Sequence, residues 1–514
     1  MRQGQVWAGL IGLALVLAAM VAMRPLLPID ETRYLSVAWE MWMSGDPVHL
    51  TKNFDSYTHK TPLLFVMINL VWLVTGVSEI AGRLVGPACT VALVGGTVLL
   101  ARRLWPDRDL GARAAAILSG FTVFLFYGSA TMFDTLLGLG VLGGVAALWR
   151  IGQGGGRRDW IGFGLALALG IYAKGPVIFV HLMPVMLTLP LWAPVRPSFK
   201  VALKGFGLAL LVAMALVALW LVPTLLTATP EFRTELLWTQ SAARVAGGMA
   251  HDRPFYFLIA LLPLLLFPWG YSLGLWRSLR GVWSAGPATR LCVIWAGSTL
   301  LLFSLISGKQ AHYLLPAFPA VAMLFAWALE AAPKPRSVLW LPLALLGLVF
   351  AAFGLGFIPA KDDLVAVAPL WPVLAFAALC FALAVASLRL PLIAGHLLAG
   401  VGLALGLHGV IASTGLYDAY DGRHIANVLA GSADKGLAVI DYSYNAEFNF
   451  IARMTTPVAT PADAAALADW TKAHPEGLVF GLKTNGLLTA EPQETIHYMG
   501  KDWAIWPASI ISRE

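Results

Sequence analysis

The chain has 514 residues, of which 59% are hydrophobic and only 12% charged, with a mean hydropathy of +0.75. That composition excludes a water-soluble globular domain and points to a helical, polytopic membrane protein. A formal net charge of +7 does not argue for nucleic acid, because the basic residues punctuate apolar runs instead of forming a tract.

Runs such as Trp7 to Met23, Val201 to Leu226 and Trp340 to Ile358 are too long and too uniformly apolar for barrel strands, which alternate every second residue. The first is expected to be a retained spanning helix, about residues 5–27, with a cytoplasmic N-terminus. The stretch Asp30 to Pro62 follows it. Leu35, Ala38, Trp39 and Trp42 fall there at helical spacing, with Asp30, Arg33 and Tyr34 on another face. That pattern predicts a helix lying in the membrane–water interface. Asp30 also suits the N-cap of that helix.

The apolar run Pro62 to Val74 is short for a crossing and is expected to return along the interface. Further spans are expected at about 80–101, 111–129, 132–150, 160–173, 175–193, 201–226, 254–276, 289–306, 311–331, 337–358, 367–388 and 391–413, about thirteen in all. Loops with Arg102 to Arg113, Arg150 to Arg158, Arg196 to Lys204, Arg277 to Arg290, and Lys334 with Arg336 then lie inside. Acids such as Asp30, Asp134, Glu235, Asp362 and Asp363 lie outside, as charge bias requires. After residue 413 polar residues return, and β-prone runs at Gly436 and Gly477 flank a helix-prone piece, Pro461 to Lys472. The expected organisation is a transmembrane domain, 1–413, whose external loop 28–79 carries interfacial helices, and a small extracytoplasmic α/β domain, 414–514. Cys89, Cys292 and Cys380 lie inside apolar segments and read as small buried hydrophobes.

Ionisable groups crowd the outer edge of the expected bundle. Asp30 stands at the exit of the first helix, and Asp134 lies within one turn of strongly apolar sequence, where a charge costs about 2.5–3.5 kcal/mol and needs a partner or a task. Arg33, Lys60 and Lys174 supply cations suited to a lipid phosphate, Lys60 just ahead of a helix start. His59 and His251 fall on the same side and could hold a divalent ion, although two ligands in distant loops make no metal motif. His312 and Tyr313 end another span and suit either a second headgroup or the aromatic belt. P-loop, GxGxxG, GxSxG, HExxH and CxxC patterns are absent from the sequence, which disfavours nucleotide-driven or dinucleotide chemistry.

Taken in series, DETRY from Asp30, SYTHKTPL from Ser56, MFDT from Met132, YAKGP from Tyr172 and GKQAHYLLPAFPA from Gly308 resemble the polyprenyl-phosphate-dependent glycosyltransferases of the C-type membrane fold. The branch they suggest is the bacterial aminoarabinose (lipid A) transferase and protein O-mannosyltransferase-like group. The resemblance implies an external C-terminal domain, a catalytic acid at Asp30, phosphate contacts at Arg33 and Lys60, and Tyr34 and Tyr57 lining the site. Asp134 matches the acid of the second external loop and Lys174 a basic residue near the cavity. Relatives often carry Glu-Lys-Pro-Pro where this chain has His59, Lys60, Thr61 and Pro62.

The expected activity is transfer of a sugar from a polyprenyl-phosphate donor to a lipid, glycan or protein acceptor at the outer face of a bacterial inner membrane. Nucleotide sugars are not supplied there, so the activated bond must arrive on a lipid. Two rivals come from other classes. A flippase of polyprenyl-linked sugars would place ionisable groups near mid-membrane, and a non-catalytic assembly protein would tolerate loss of Asp30 and Asp134.

Overall fold

The computed structural model describes residues 3–236, 253–331, 337–358 and 369–511. His251, Lys334, Arg336, Asp362 and Asp363 lie outside them. In chain order the structure opens with α1 (Gln3–Ala22), α2 (Asp30–Ser44), β1 (Thr51–Lys52), β2 (Asp55–Ser56), α3 (Leu63–Thr75), α4 (Glu79–Arg83), α5 (Val85–Leu104), α6 (Leu110–Gly120), α7 (Thr122–Ser129), α8 (Phe133–Gly152), α9 (Arg157–Lys174), α10 (Ile178–Leu187), α11 (Leu189–Trp192) and α12 (Phe199–Thr227). The chain divides into two compact units. One comprises Met1–Val21, Thr58–Leu64 and Leu84–Val410, and the other Ala22–Tyr57, Phe65–Arg83 and Ile411–Glu514.

The first unit is a bundle of apolar helices. Among the described residues nine helical runs are long and apolar enough to cross a membrane, ten if α6 and α7, which meet at 74°, make one broken span. One of the nine, Arg157–Leu187, is a hairpin. A Cβ at Gly170 would fall 2.4 Å from Ile178 Cδ1, and one at Gly144 the same distance from Leu182 Cδ1. In a continuous helix residues eight apart stand about 12 Å apart. The chain therefore reverses at Lys174–Gly175, where Gly175 takes φ +73, a conformation that suits glycine. The break at residue 174 falls where the sequence reading put it, but α10 runs for only 10 residues, short for a second crossing. The break puts Lys174 at the same end of the bundle as the first turn of α8.

Elsewhere the expected spans are modified. The segment 254–276 does not form one continuous helix; it breaks into Phe257–Ala260, Leu262–Leu265, the 3-10 turn Trp269–Tyr271 and Leu273–Ser278. Pro263 and Pro268 remove backbone donors there, and apolar composition alone cannot restore the ladder. Trp340–Gly354 runs for 15 residues, short for a crossing at 1.5 Å per residue. Cys89, Cys292 and Cys380 are free and buried as expected.

In the second unit, α2 forms over the predicted stretch but meets a different environment. Leu35, Val37 and Ala38 are fully buried, and so are Glu31, Ser36 and Glu40 on its other faces. The apolar face is thus covered by protein at Leu35 and Ala38, while Trp39 and Trp42 stay half-buried. α3 does keep an exposed apolar end, Leu70, Leu73 and Val74, which fits the interfacial placement expected of it. The C-terminal part carries a four-stranded sheet of order β3-β4-β6-β5, with β3 (Leu437–Ile440), β4 (Leu478–Leu482), β5 (Glu494–Tyr498) and β6 (Lys501–Pro507). β3 and β4 pair in parallel around the helix Ala464–Ala473, and the other two ladders are antiparallel. Both faces of the sheet are covered: Leu437, Val439, Trp503 and Ile505 pack into one core with Phe448 and Phe480, while Ala438, Ile440, Ala504 and Trp506 pack into another with Leu467. The period-2 alternation divides each strand between the two.

Close helix contact makes a testable demand on small residues. Gly400, in the helix Leu392–Ser413, accepts Thr122 Oγ1 through its carbonyl at 3.2 Å, and a Cβ there would fall 1.8 Å from the Gly120 carbonyl oxygen. The clash is with backbone, so Gly400→Ala is expected to cost about 1–3 kcal/mol and lower the unfolding midpoint in detergent. Gly207→Ala, with open space around it, should not.

Candidate active site

The residues expected to carry chemistry fall into two groups, one in each unit. In the first unit Asp134 occupies the first turn of α8, where the helix dipole favours an anion. Its side chain is 1% exposed, and Lys174 Nζ donates to its Oδ1 at 2.7 Å across the α8–α9 contact. His312 Nε2 stands 3.8 Å from the other oxygen. Tyr313 lies beneath the Lys174 ammonium, 4.5 Å from ring centroid to Nζ, and Tyr127 packs on His312 at 5.2 Å. Lys60 Nζ sits 5.2 Å from the ring centre of Phe133, the residue before Asp134.

The sequence thus spreads over 179 positions what the bundle joins: Asp134, Lys174, His312 and Tyr313 form one cluster. Lys174, expected as a cation for lipid phosphate, is also the counter-ion of Asp134. A carboxylate and an ammonium held at 2.7 Å neutralise one another, which answers the cost of placing Asp134 in apolar sequence. Lys309, in the same motif as His312, is spent on backbone: it donates to the Ser304 carbonyl at 2.7 Å and the Pro254 carbonyl at 3.2 Å.

In the second unit the group is built on one turn of α2. Asp30 is the first residue of the helix, and the cap position belongs to Ile29, which makes no side-chain cap. The N-cap role expected of Asp30 is therefore not taken. Its carboxylate instead receives the Arg33 guanidinium and the Tyr34 hydroxyl, the latter at 2.9 Å, both on Oδ1. Spacing of three and four residues puts all three on one helix face. Burial, and next the Asp30 carboxylate, hold the Tyr34 phenol well above its ordinary range, so it stays a donor at neutral pH. Burial works against the Arg33 charge, but Tyr57, Tyr34 and Asp30 together raise it. Tyr57 itself is buried, 4% exposed. The Asp30 side chain is 48% exposed, and among the described residues nothing donates to Oδ2. One oxygen is fixed and the other is open.

Several ion pairs in this unit were not foreseen. Arg24 forms a two-pronged pair with Glu31 just upstream, and Arg83 donates to the Arg24 and Pro25 carbonyls at 3.0 and 3.1 Å. The seven-residue spacing across a non-helical bend carries no periodic signal. As for metal, His59 Nε2 lies 3.6 Å from Glu235 Oε1, and His251 is outside the described residues. Among those residues no cluster of three His, Cys, Asp or Glu side chains gathers, short of the three protein ligands of a catalytic zinc site.

Residues 59–222 match the family model described as dolichyl-phosphate-mannose-protein mannosyltransferase. The undecaprenyl phosphate-alpha-4-amino-4-deoxy-L-arabinose arabinosyl transferase of Pseudomonas paraeruginosa is 30% identical over 342 residues, covering 63% of this chain and 61% of that protein. A second such transferase, from Sodalis glossinidius, is 31% identical over 328 residues, covering 60% and 58%. The chain thus spans about three fifths of the length of the curated relatives it matches. Crystal structures of ArnT from Cupriavidus metallidurans, apo and bound to undecaprenyl phosphate, superpose with TM-scores of 0.75 and 0.74 over 98% of both chains, at 18% identity.

The fold is that of the C-type membrane glycosyltransferases, and the protein is a multi-pass membrane protein. Over residues 59–222 the chain is similar to the mannosyltransferase family model, and over about three fifths of its length to the bacterial aminoarabinose transferases, the group that the motif series resembles.

The buried pair makes a prediction of its own. Removing one partner leaves an uncompensated charge, at a cost of about 3–5 kcal/mol, so Lys174→Ala should depress thermal stability in detergent markedly. Lys174→Ala combined with Asp134→Asn should recover at least half of that loss. Additive losses in the double variant would show that the pair is not coupled.

Proposed function

We propose that this protein transfers a sugar from a polyprenyl-phosphate donor to an acceptor lipid such as lipid A, at the extracytoplasmic side of a bacterial inner membrane. The observation that carries the reading is the Asp30 carboxylate, with Oδ1 held by Arg33 and Tyr34 and Oδ2 open. A general base needs a fixed orientation and one accessible lone pair, and this group has both. The names of the curated relatives, transferases that use undecaprenyl-phosphate-linked aminoarabinose, supply the donor class.

In the reaction an acceptor hydroxyl oxygen bonds to the anomeric carbon, and the bond from that carbon to the phosphate oxygen breaks. The electron pair leaves on the polyprenyl phosphate, and the hydroxyl proton passes to Asp30 Oδ2. A single displacement of this kind inverts the anomeric centre. Charge grows on the departing phosphate, which is where Arg33, on the Asp30 face of α2, acts, because a cation placed there stabilises the transition state more than the ground state; Lys60 is assigned to donor binding. Tyr34 and Tyr57 line the same chemistry. The cluster of Asp134, Lys174, His312 and Tyr313 serves the donor headgroup, with the carboxylate orienting the ammonium. The C-terminal α/β part, 414–514, lies on the extracytoplasmic side in this reading.

Asp30→Asn should fold normally and lose transfer by about 10²–10⁴-fold, the span of a general base; turnover at the wild-type rate would remove the assignment. Arg33→Ala and Lys60→Ala should raise the KM for donor. Mass spectrometry of envelope lipids from cells with and without the protein should reveal one missing sugar, and identical profiles would count against the proposal.

A further inference from the structure

The helix that carries Asp30 is gripped from behind by the C-terminal part of its own unit. Ser36 Oγ donates to the Ala446 carbonyl at 2.7 Å and accepts the Phe450 N–H at 3.0 Å. One turn later Glu40, 2% exposed, accepts the backbone N–H groups of Asn53 and Phe54 at 2.8 and 2.9 Å and the Asn449 amide at 3.3 Å. Asn53 completes the ring: its amide donates to the Val458 carbonyl at 2.8 Å and its Oδ1 accepts the Val458 N–H at 2.9 Å. Trp39 Nε1 donates to the Met454 carbonyl at 2.9 Å, and Phe450 stacks on Trp72 with ring centres 5.5 Å apart. The segment 446–458 is therefore bolted to α2 and to the β1–β2 turn by side chains that are almost all buried.

Backbone strain gathers at the same place. Of six non-glycine residues with left-handed φ among the described residues, four lie in this clamp: Asn53, Phe54, Ala446 and Arg453, at φ 56, 64, 61 and 53. Ala446 and Arg453 lie in no hairpin turn and persist only where the surroundings over-determine them, whereas Asn53 and Phe54 are the two loop residues of the β1–β2 hairpin, whose primed turn requires positive φ at both. Consecutive N–H groups in that conformation form a concave anion receptor, and Glu40 is the anion it holds. Mere attachment of a domain needs no such arrangement, since apolar burial alone would serve.

We propose that Ser36, Glu40 and Asn449 are positioning residues, which set the rotation and tilt of α2 and so aim the Asp30–Arg33–Tyr34 face at substrate. The proposal rests on the reading of Asp30 as base. It makes residues 446–458 part of the catalytic apparatus, although none of them touches Asp30. The lever is short: Ser36 is less than two turns from Asp30, and a displacement near 1 Å at a reacting group costs about 100-fold in rate.

The test uses full-length protein in detergent or nanodiscs, assayed for transfer from a polyprenyl-phosphate sugar and normalised to folded protein by size exclusion and thermal unfolding. Ser36→Ala, Glu40→Ala and Asn449→Ala should each lower kcat about 10-fold or more, with the donor KM within about threefold. That split between kcat and KM is the readout a merely structural role would not give, because loss of folded protein lowers the amount of active enzyme without separating the two. Glu40→Gln keeps one acceptor oxygen but turns its NH2 toward the other backbone N–H of the pair, so it should recover only part of the lost rate. Asp463→Ala removes the cap of the helix Ala464–Ala473, whose Ala466 N–H it accepts at 2.8 Å; it should only scale activity with the folded fraction. Clamp variants with wild-type kcat per folded protein, or indistinguishable from Asp463→Ala, would overturn the proposal. If Glu40→Ala fails to fold, Ser36→Ala and Asn449→Ala decide it. Absence of transfer in the wild type would instead sink the base assignment itself, a separate failure that the same assay records.

Discussion

A carboxylate inside apolar sequence must be matched by a cation, and in the helical bundle the Asp134–Lys174 pair meets that requirement. The two groups lie 40 residues apart and meet at 2.7 Å only because α8 and α9 run antiparallel with their glycine faces together. A Cβ at Gly140 would stand 3.1 Å from the Gly170 nitrogen, so small residues permit the approach that the ion pair demands. The reversal at Gly175 then carries the next helix back along the same groove. Satisfying one charge thus fixes three helical segments and puts His312 and Tyr313 against the pair.

The second unit solves a related problem differently. α2 is rich in polar side chains and yet is buried on nearly every face. It is stabilised by giving its buried carboxylates and hydroxyl partners: Glu31 takes Arg24, Ser36 takes two backbone groups, and Glu40 takes a pair of N–H donors. An unpaired member of this set would cost roughly 1–3 kcal/mol, a large share of the net stability of a domain. Burial raises the Glu40 carboxyl above its ordinary value in spite of those hydrogen bonds, which records how strongly the site is desolvated.

Much of this was legible in the sequence, and the reasons differ for the parts that were not. Membrane class and helical architecture follow from composition and run length. The hairpin at Lys174–Gly175, the buried cysteines and the strands at Leu437 and Leu478 follow from local pattern. Asp30, Asp134, Lys174, His312 and Tyr313 stood out because charge and polarity are conspicuous in apolar surroundings. Which groups pair was not legible: Lys174 read as a phosphate contact because the sequence shows a cation and not its distance to Asp134. The face of α2 was misread for the same reason. Leu35, Ala38 and Trp39 fit lipid and protein equally well, and Ser36 and Glu40 find partners more than 400 residues away, beyond any local period. The break in 254–276 was visible as Pro263 and Pro268 but was outweighed by apolar composition.

The two carboxylates that the sequence put on equal terms are separated by their surroundings. Asp134 is 1% exposed, with the Lys174 ammonium on Oδ1 and the His312 imidazole 3.8 Å from Oδ2, which is buried and accepts no hydrogen bond among the described residues. Asp30 is 48% exposed, and both of its donors sit on one oxygen. Environments that differ this far assign different tasks to chemically identical groups. Asp134 is built to hold a cation in place, and Asp30 to meet a molecule from outside. The clamp behind α2 follows from that division: an open, half-solvated carboxylate gains no rigidity from its own burial, so its aim has to be supplied by the helix beneath it.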